Sequence, residues 1–311
     1  MTLEELKRQL KDVLNYVDRT GRFVYVDYPL HGNIGDLLIN QGTEAFFSDY
    51  GLNIERRYSL YDFPGDVPGM DDSVTILLHG GGNFGDIWPR HQRLREQILL
   101  RYPRNRVIIL PQTVHFDDAE QERRTCAMMA TYGNLHIFVR DTRSYDKLTR
   151  HGVQNISLMP DMAHQLHGRF ARNARRNVDE TLYFFRQDIE KSNIPIQFTM
   201  HRTSAVDWSD CIGLNEKVRF GIILALIRAS RNLQFGSDLY SDWYSVRDQI
   251  VQRGVDLITS AASLVTNRLH AMLLGLFLGK PVIAFDNSYG KLSAYCKSWM
   301  RDLPSLTFVS N

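Results

Sequence analysis

Cysteine is scarce in this sequence: Cys126, Cys211 and Cys296 stand far apart, and none belongs to a C-x-x-C pair. That spacing excludes a disulfide framework and a cysteine zinc site, and it fits a reducing compartment. Long apolar runs are missing too. The most apolar stretches, Phe220–Ile227 and Leu269–Leu278, are too short to span a bilayer. Residues 1–19 are charged throughout and lack the apolar centre of a secretory signal. A cytoplasmic protein is expected, with any membrane contact peripheral and at the inner face. An excess of charge of either sign is nearly absent as well: the net charge is +2, which argues against a dedicated nucleic-acid binder. A local basic stretch at Arg169, Arg172, Arg175 and Arg176 is the exception. No repeat or low-complexity tract is visible, so the 311 residues are long enough for two ordinary globular domains.

What is present is a regular alternation. Leu3, Leu6, Leu10, Val13, Leu14 and Val17 recur at helical spacing. Phe23–Asp27 then predicts a strand, followed by a glycine-containing loop and a helix over Asp36–Tyr50 that Gly51 stops. Val74–His79, Val107–Pro111, His136–Arg140 and Ile156–Met159 predict further buried strands, with a helix at Arg90–Arg101. His167–Glu180 breaks the pattern with arginines and asparagines and reads as a linker. Thr181–Arg186, Ser263–Thr266 and Pro281–Asp286 then predict strands, with helices at Asn215–Ser230 and Trp243–Arg253. This predicts an α/β protein of two Rossmann-like, doubly wound parallel-sheet domains facing a central cleft. The expected division is 1–168, 169–290, and a helix and tail over 291–311 that crosses back to the first domain.

The most informative stretch is Ser263–Asp286. Thr266 or Asn267 is expected to cap the helix that follows the strand, which puts Arg268 and His270 in its first turn. Free amides and the helix dipole favour an anion there, arginine adds a planar fork, and histidine moves protons near neutral pH. The plainer alternative is a capping arginine and a satisfied core histidine. Arg140 and Arg186 each end a predicted strand, and one of them is expected to supply a second clamp. His79-Gly80-Gly81-Gly82-Asn83 follows a strand with neither a Walker lysine nor a dinucleotide fingerprint. It is either a tight turn or a close backbone approach to a ligand. Asn33–Asp36 and Asn83–Asp86 repeat an N-x-G-D pattern, although Asp36 alone reads best as an N-cap. His31, His115 and His164 fall at strand or loop ends, where structural roles are at least as plain as functional ones. No histidine spacing matches a metal site, and neither a metal nor a cofactor is expected.

Taken in order, H-G-N-I-G-D at 31–36, L-H-G-G-G-N-F-G-D at 78–86, V-R-D-T-R-S at 139–144, P-D-M-A-H at 160–164 and T-N-R-L-H-A-M-L-L-G-L-F-L-G-K-P-V-I-A-F-D from Thr266 onward resemble the polysaccharide pyruvyl transferase family. The resemblance implies a fold similar to two-domain GT-B glycosyltransferases. It implies that Arg268, Leu269 and His270, with Asn267 beside them, meet phosphoenolpyruvate as donor substrate. It places His31, Asn33, Gly35, Gly81, Gly82 and Asn83 on the acceptor side of the cleft, with Asp36 or Asp86 as base for a sugar hydroxyl; His115, from its position at a strand end, is expected in the same cleft. The implied reaction forms a pyruvate ketal on a sugar of a bacterial exopolysaccharide or its lipid-linked precursor and releases phosphate. His270 would serve as acid or base; the sequence leaves both open. A nucleotide-sugar glycosyltransferase and a non-catalytic saccharide-binding subunit are the alternatives.

Overall fold

The computed structural model describes residues 1–170, 180–188, 190–230 and 239–309. The N-terminal half opens with α1 (Leu3–Gln9), which tightens into a 3-10 turn over Leu10–Tyr16. Then follow β1 (Arg22–Tyr28), α2 (Ile34–Tyr50), β2 (Asn53–Ser59), β3 (Thr75–Leu78), β4 (Gly81–Gly85) and α3 (Pro89–Arg101). β5 (Val107–His115), α4 (Ala119–Thr131), β6 (Leu135–Val139), α5 (Thr142–Arg150) and β7 (Ile156–Leu158) complete it. These strands form one parallel sheet in the order β2-β1-β3-β5-β6-β7, and β4 takes over from β3 along the second half of β5. Strand alternation separates two cores. In β1, Phe23 and Tyr25 face one core while Val24 and Val26 face the other, as expected for a sheet covered on both sides.

The second sheet is smaller and also parallel. β8 (Thr181–Phe184) is followed by α6 (Leu214–Ser230), α7 (Leu239–Ser260), β9 (Ser263–Thr266), α8 (Leu269–Phe277), β10 (Val282–Phe285), α9 (Lys291–Trp299) and β11 (Leu306–Val309). Its order is β11-β10-β9-β8. α2 packs on α7 and α8, so one hydrophobic core runs from the first sheet to the second. Polar contacts tie the same seam: Trp243 Nε1 donates to the Pro29 carbonyl at 2.9 Å and Arg247 Nη1 to Asn40 Oδ1 at 2.7 Å. α9 returns to the first sheet, where Trp299 Nε1 donates to the Arg140 carbonyl at 2.7 Å, before β11 rejoins the second.

Several local expectations need correction. The glycine stretch after β3 is a short strand, β4, and not a loop, because its backbone pairs with β5. α2 is capped by Asn33, whose side chain accepts from the Gly35 amide, and not by Asp36. α8 has Arg268 itself as its N-cap residue; Thr266 instead donates to the Phe184 carbonyl and accepts from the Arg268 amide. β2 and β11 were not expected from the sequence. Most of the expected linker, 171–179, lies outside the described residues.

Candidate active site

Two cations from distant parts of the chain meet behind Gly82, and a third, Arg186, lines the same cavity with Nη1 paired to Glu190 and Nε to Asp188. Arg140 follows β6, Lys291 opens α9, and Arg186 follows β8. A Cβ placed on Gly82 would lie 2.3 Å from Lys291 Nζ and 3.1 Å from Arg140 Nη2. Only a residue without a side chain lets both heads reach this point. Arg140 is fully buried, and its Nη2 has no partner. A buried donor left unsatisfied is rare and costly unless something is to bind it. Lys291 is pushed down to about 8 by burial and by repulsion from Arg140 and Arg186, against the pull of Glu190. Glu190 stays ionised: burial would raise its pKa, but Lys291 and Arg186 outweigh it. Gly82, Lys291 and Arg186 line a cavity of about 430 Å³ together with His31, Asn33 and Asp36.

Beside this cluster a carboxylate couples the two sheets. Asp161 follows β7 and is fully buried. Its Oδ2 accepts from Arg140 Nη1 and lies 3.2 Å from His270 Nε2, while Oδ1 accepts from the Ala163 amide at 2.9 Å. Burial would raise its pKa; His270 and Arg140 overcome that and hold it far below the usual carboxylate range. Because a carboxylate only accepts, this contact puts the proton of His270 on Nε2 and leaves Nδ1 for exchange. His270 packs on the first turn of α2, with Nδ1 only 2.9 Å from where a Gly35 Cβ would be. Asp161→Asn removes the counter-charge of a buried arginine, and a loss of about 3–5 kcal/mol is expected. Urea unfolding checks it; an unchanged midpoint would refute the coupling.

A second polar network lines the same cavity. Asp27 has φ +70° although it is not glycine, a conformation that costs about 1–2 kcal/mol and tends to be kept at functional sites. Its carboxylate meets His91 Nδ1 at 2.7 Å and accepts from Asn83 Nδ2 at 3.1 Å. Asn83 Oδ1 in turn accepts from Arg95 Nη2 and Gln112 Nε2. His79 bonds the Tyr25 hydroxyl through Nδ1 at 2.6 Å, its Nε2 has no partner, and burial lowers its pKa to about 4. Trp88 and Tyr61 add aromatic surface to the cavity. An anion pocket, a histidine–carboxylate pair and a polar wall with aromatic rims suit a small anionic donor and a hydroxyl-bearing acceptor.

The family described as Polysaccharide pyruvyl transferase matches residues 33–289. The chain belongs to the polysaccharide pyruvyl transferase family. EpsO of Bacillus subtilis, whose name carries a provisional assignment to pyruvyl transfer, is 33% identical over 98% of this chain and 94% of its own length. Pyruvyl transferase 1 of Schizosaccharomyces pombe is 26% identical over 88% of this chain and 69% of its own. The crystal structure of a functionally uncharacterized Klebsiella pneumoniae protein superposes with a TM-score of 0.68 at 19% identity, covering 100% of both chains. It supports the α/β fold alone.

Within the family's motifs the structure sorts the expected residues. His31, Asn33, Asp36, Gly82, Asn83 and Arg186 line the cavity. Asn33 Nδ2 donates to Asp36 Oδ2 at 2.8 Å, and His31 Nε2 lies 3.7 Å from the same oxygen. Burial acts against ionisation of Asp36, yet His31, His270, His79 and Lys291 hold it below the usual carboxylate range. Gly81 lies at φ +118°, where its Cβ would face Ile39 and Asp36. His270 and Arg140 sit directly behind the lining.

Arg268 points elsewhere. Its Nη2 donates to Asp207 Oδ2 at 2.5 Å and lies 3.1 Å from Asp188, while Nε takes the other Asp207 oxygen. Asn267 accepts from the Arg186 amide at 2.7 Å, and Leu269 is buried. Asn267, through the Arg186 amide, and Arg268, through the shared Asp188, therefore brace the strand end that carries Arg186. Asp86 accepts from the Asp117 and Asp118 amides, off the cavity. His115 meets Asp117 at 3.0 Å and packs at a tilt against the ring of Tyr289, whose hydroxyl donates to Glu190. His164 is locked to the Tyr295 hydroxyl at 2.8 Å, and burial lowers its pKa to about 3. Sequence reasoning missed Asp27, His91, Asp161 and Lys291. Asp161 stood in the quoted P-D-M-A-H motif; Asp27 and Lys291 lie just outside the family match.

Proposed function

We propose that this chain transfers pyruvate from phosphoenolpyruvate onto two hydroxyls of one sugar, forming a ketal and releasing phosphate. The observation that carries the proposal is the meeting of Lys291 Nζ and the unpartnered Arg140 Nη2 at Gly82, with Arg186 lining the same cavity, beside the His270–Asp161 pair. Phosphoenolpyruvate carries a phosphate and a carboxylate, and two or more converging cations match that charge by preorganised electrostatics. The names of EpsO and of the fission-yeast relative support the same chemistry.

The first sugar oxygen bonds to the central carbon of the enol while the methylene gains a proton. The C–O bond to phosphate then breaks, and the second sugar oxygen closes the ketal. Of the two hydroxyl protons, one ends on the new methyl group and the other on phosphate, so atoms and charge balance. His270 accepts a hydroxyl proton at Nδ1, and Asp161 stabilises the imidazolium that results. The two sheets act as the halves of a GT-B-like pair, with the first on the acceptor side. No cofactor beyond the donor enters these steps, and a phosphoenolpyruvate donor places them in the cytoplasm. The acceptor belongs to a bacterial exopolysaccharide or its lipid-linked precursor.

Gly82→Ala tests the anion pocket. Its Cβ displaces the flexible end of Lys291, so stability should change by no more than about 1 kcal/mol. Phosphoenolpyruvate affinity should fall at least about tenfold, the equivalent of 1.4 kcal/mol. Titration calorimetry reads the affinity, and unchanged binding would remove Gly82 from the donor site. For the reaction itself, the protein is incubated with phosphoenolpyruvate and a panel of saccharides. Phosphate release with a product heavier by pyruvic acid less one water supports the reading. Saturable binding of a nucleotide sugar without phosphate release would replace it with glycosyl transfer.

A further inference from the structure

α6 is apolar on both sides, yet only one side is covered. Glu216, Ile223 and Ile227 are buried. At about 100° per residue, Leu214, Val218, Ile222, Ala225 and Ala229 fall on the opposite face. Leu214, Val218, Ile222 and Leu226 are 76%, 55%, 56% and 49% exposed, an unbroken stripe at four-residue spacing. Isolated exposed apolar residues are ordinary, but a contiguous row marks a contact surface.

Cations border this stripe. Lys217 and Arg228 fall on one edge and Arg219 on the other, by the same helical geometry. Among the described residues none of the three makes an ion pair; the one acid of the helix, Glu216, is paired with Arg253 at 2.8 Å. An apolar face edged by lysine and arginine matches the boundary between the acyl chains and anionic headgroups of a bilayer. No helix among the described residues is long and apolar enough to cross a membrane. The contact would therefore lie on the surface.

The helix also borders the active site. Ile212, just before α6, touches Gly32 of the H-G-N-I-G-D motif, and a Cβ on Gly32 would be 2.2 Å from its Cδ1. At the other end the Arg228 guanidinium lies 5.0 Å from the ring of Tyr61, a cavity residue. A surface bound along α6 would thus lie next to the cavity mouth.

We propose that α6 docks this protein on an anionic membrane surface through Leu214, Val218, Ile222 and Leu226, flanked by Lys217, Arg219 and Arg228. Resting on the pyruvyl-transfer reading, it follows that the acceptor is presented from the bilayer, as the sugar of a lipid-linked precursor. The test is flotation of the full chain with phosphatidylglycerol–phosphatidylcholine vesicles and with phosphatidylcholine alone. Binding should be at least about tenfold stronger to the anionic vesicles. It should be lost in Ile222→Glu/Leu226→Glu and weakened at least about tenfold in Lys217→Glu/Arg219→Glu, which leaves the apolar row intact. Light scattering on the same samples reports oligomeric state. No binding to anionic vesicles would overturn the proposal, as would a wild-type dimer that the Ile222→Glu/Leu226→Glu variant splits; the face would then join two copies. Phosphoenolpyruvate affinity measured in that variant should be unchanged, so failure of the docking idea is distinguishable from failure of the donor assignment.

Discussion

His270→Gln is expected to lower turnover by about 10²–10⁴-fold, the usual worth of a positioned proton-transfer group, while sparing donor affinity. Glutamine's amide can still donate to Asp161 Oδ2, which His270 Nε2 meets at 3.2 Å in the wild type. The buried carboxylate therefore keeps a partner and the fold is not challenged. What the variant loses is a nitrogen that can take up and release a proton. Phosphate release measures turnover and calorimetry measures donor binding. Wild-type turnover would remove His270 from the chemistry. Preserved turnover with weak donor binding would make it an anchoring residue instead.

Lys291→Gln should weaken phosphoenolpyruvate binding about 10–100-fold near pH 7, the range for a lost charge-assisted hydrogen bond. The variant should also change the pH dependence. In the free protein Lys291 titrates at about 8, lowered by burial and by Arg140 and Arg186, with Glu190 opposing. Below that value it is a cation and attracts the donor; above it the free site has lost one positive charge. The donor's phosphate is already ionised above about pH 7, so it adds no slope of its own there. Wild-type affinity should therefore fall as pH rises through 8, whereas the variant's affinity should stay level over the same range. A wild-type profile that is flat or rises with pH would place the donor away from Lys291.

The parts of the fold that the sequence made legible are the buried ones. Val107–Pro111, the first part of β5, and Ser263–Thr266 are short apolar runs because both faces of a parallel sheet are covered. β2 was not legible because it is an edge strand whose residues, Asn53 to Ser59, are mostly polar and partly exposed. β4 contains three glycines and one large apolar residue, Phe84, and only its pairing with β5 makes it a strand. The site divides in the same way. His270 and Arg140 were accessible because a strand end or a helix start positions them locally. Lys291 and Asp161 gain their roles from tertiary packing: α9 returns from the second sheet to the first, and Asp161 bridges an arginine and a histidine from different sheets. Arg268 shows the limit of a local pattern. Its fork fits an anion, and the anion it meets is Asp207, 61 positions away.

The most direct test is the position of phosphoenolpyruvate in a crystal of its complex with the wild-type chain. The account predicts donor phosphate or carboxylate oxygens against Lys291 Nζ and the unpartnered Arg140 Nη2, beside Gly82 and within reach of His270. A donor held instead by Arg268, with Asp207 displaced and the Gly82 cluster left empty, would contradict it.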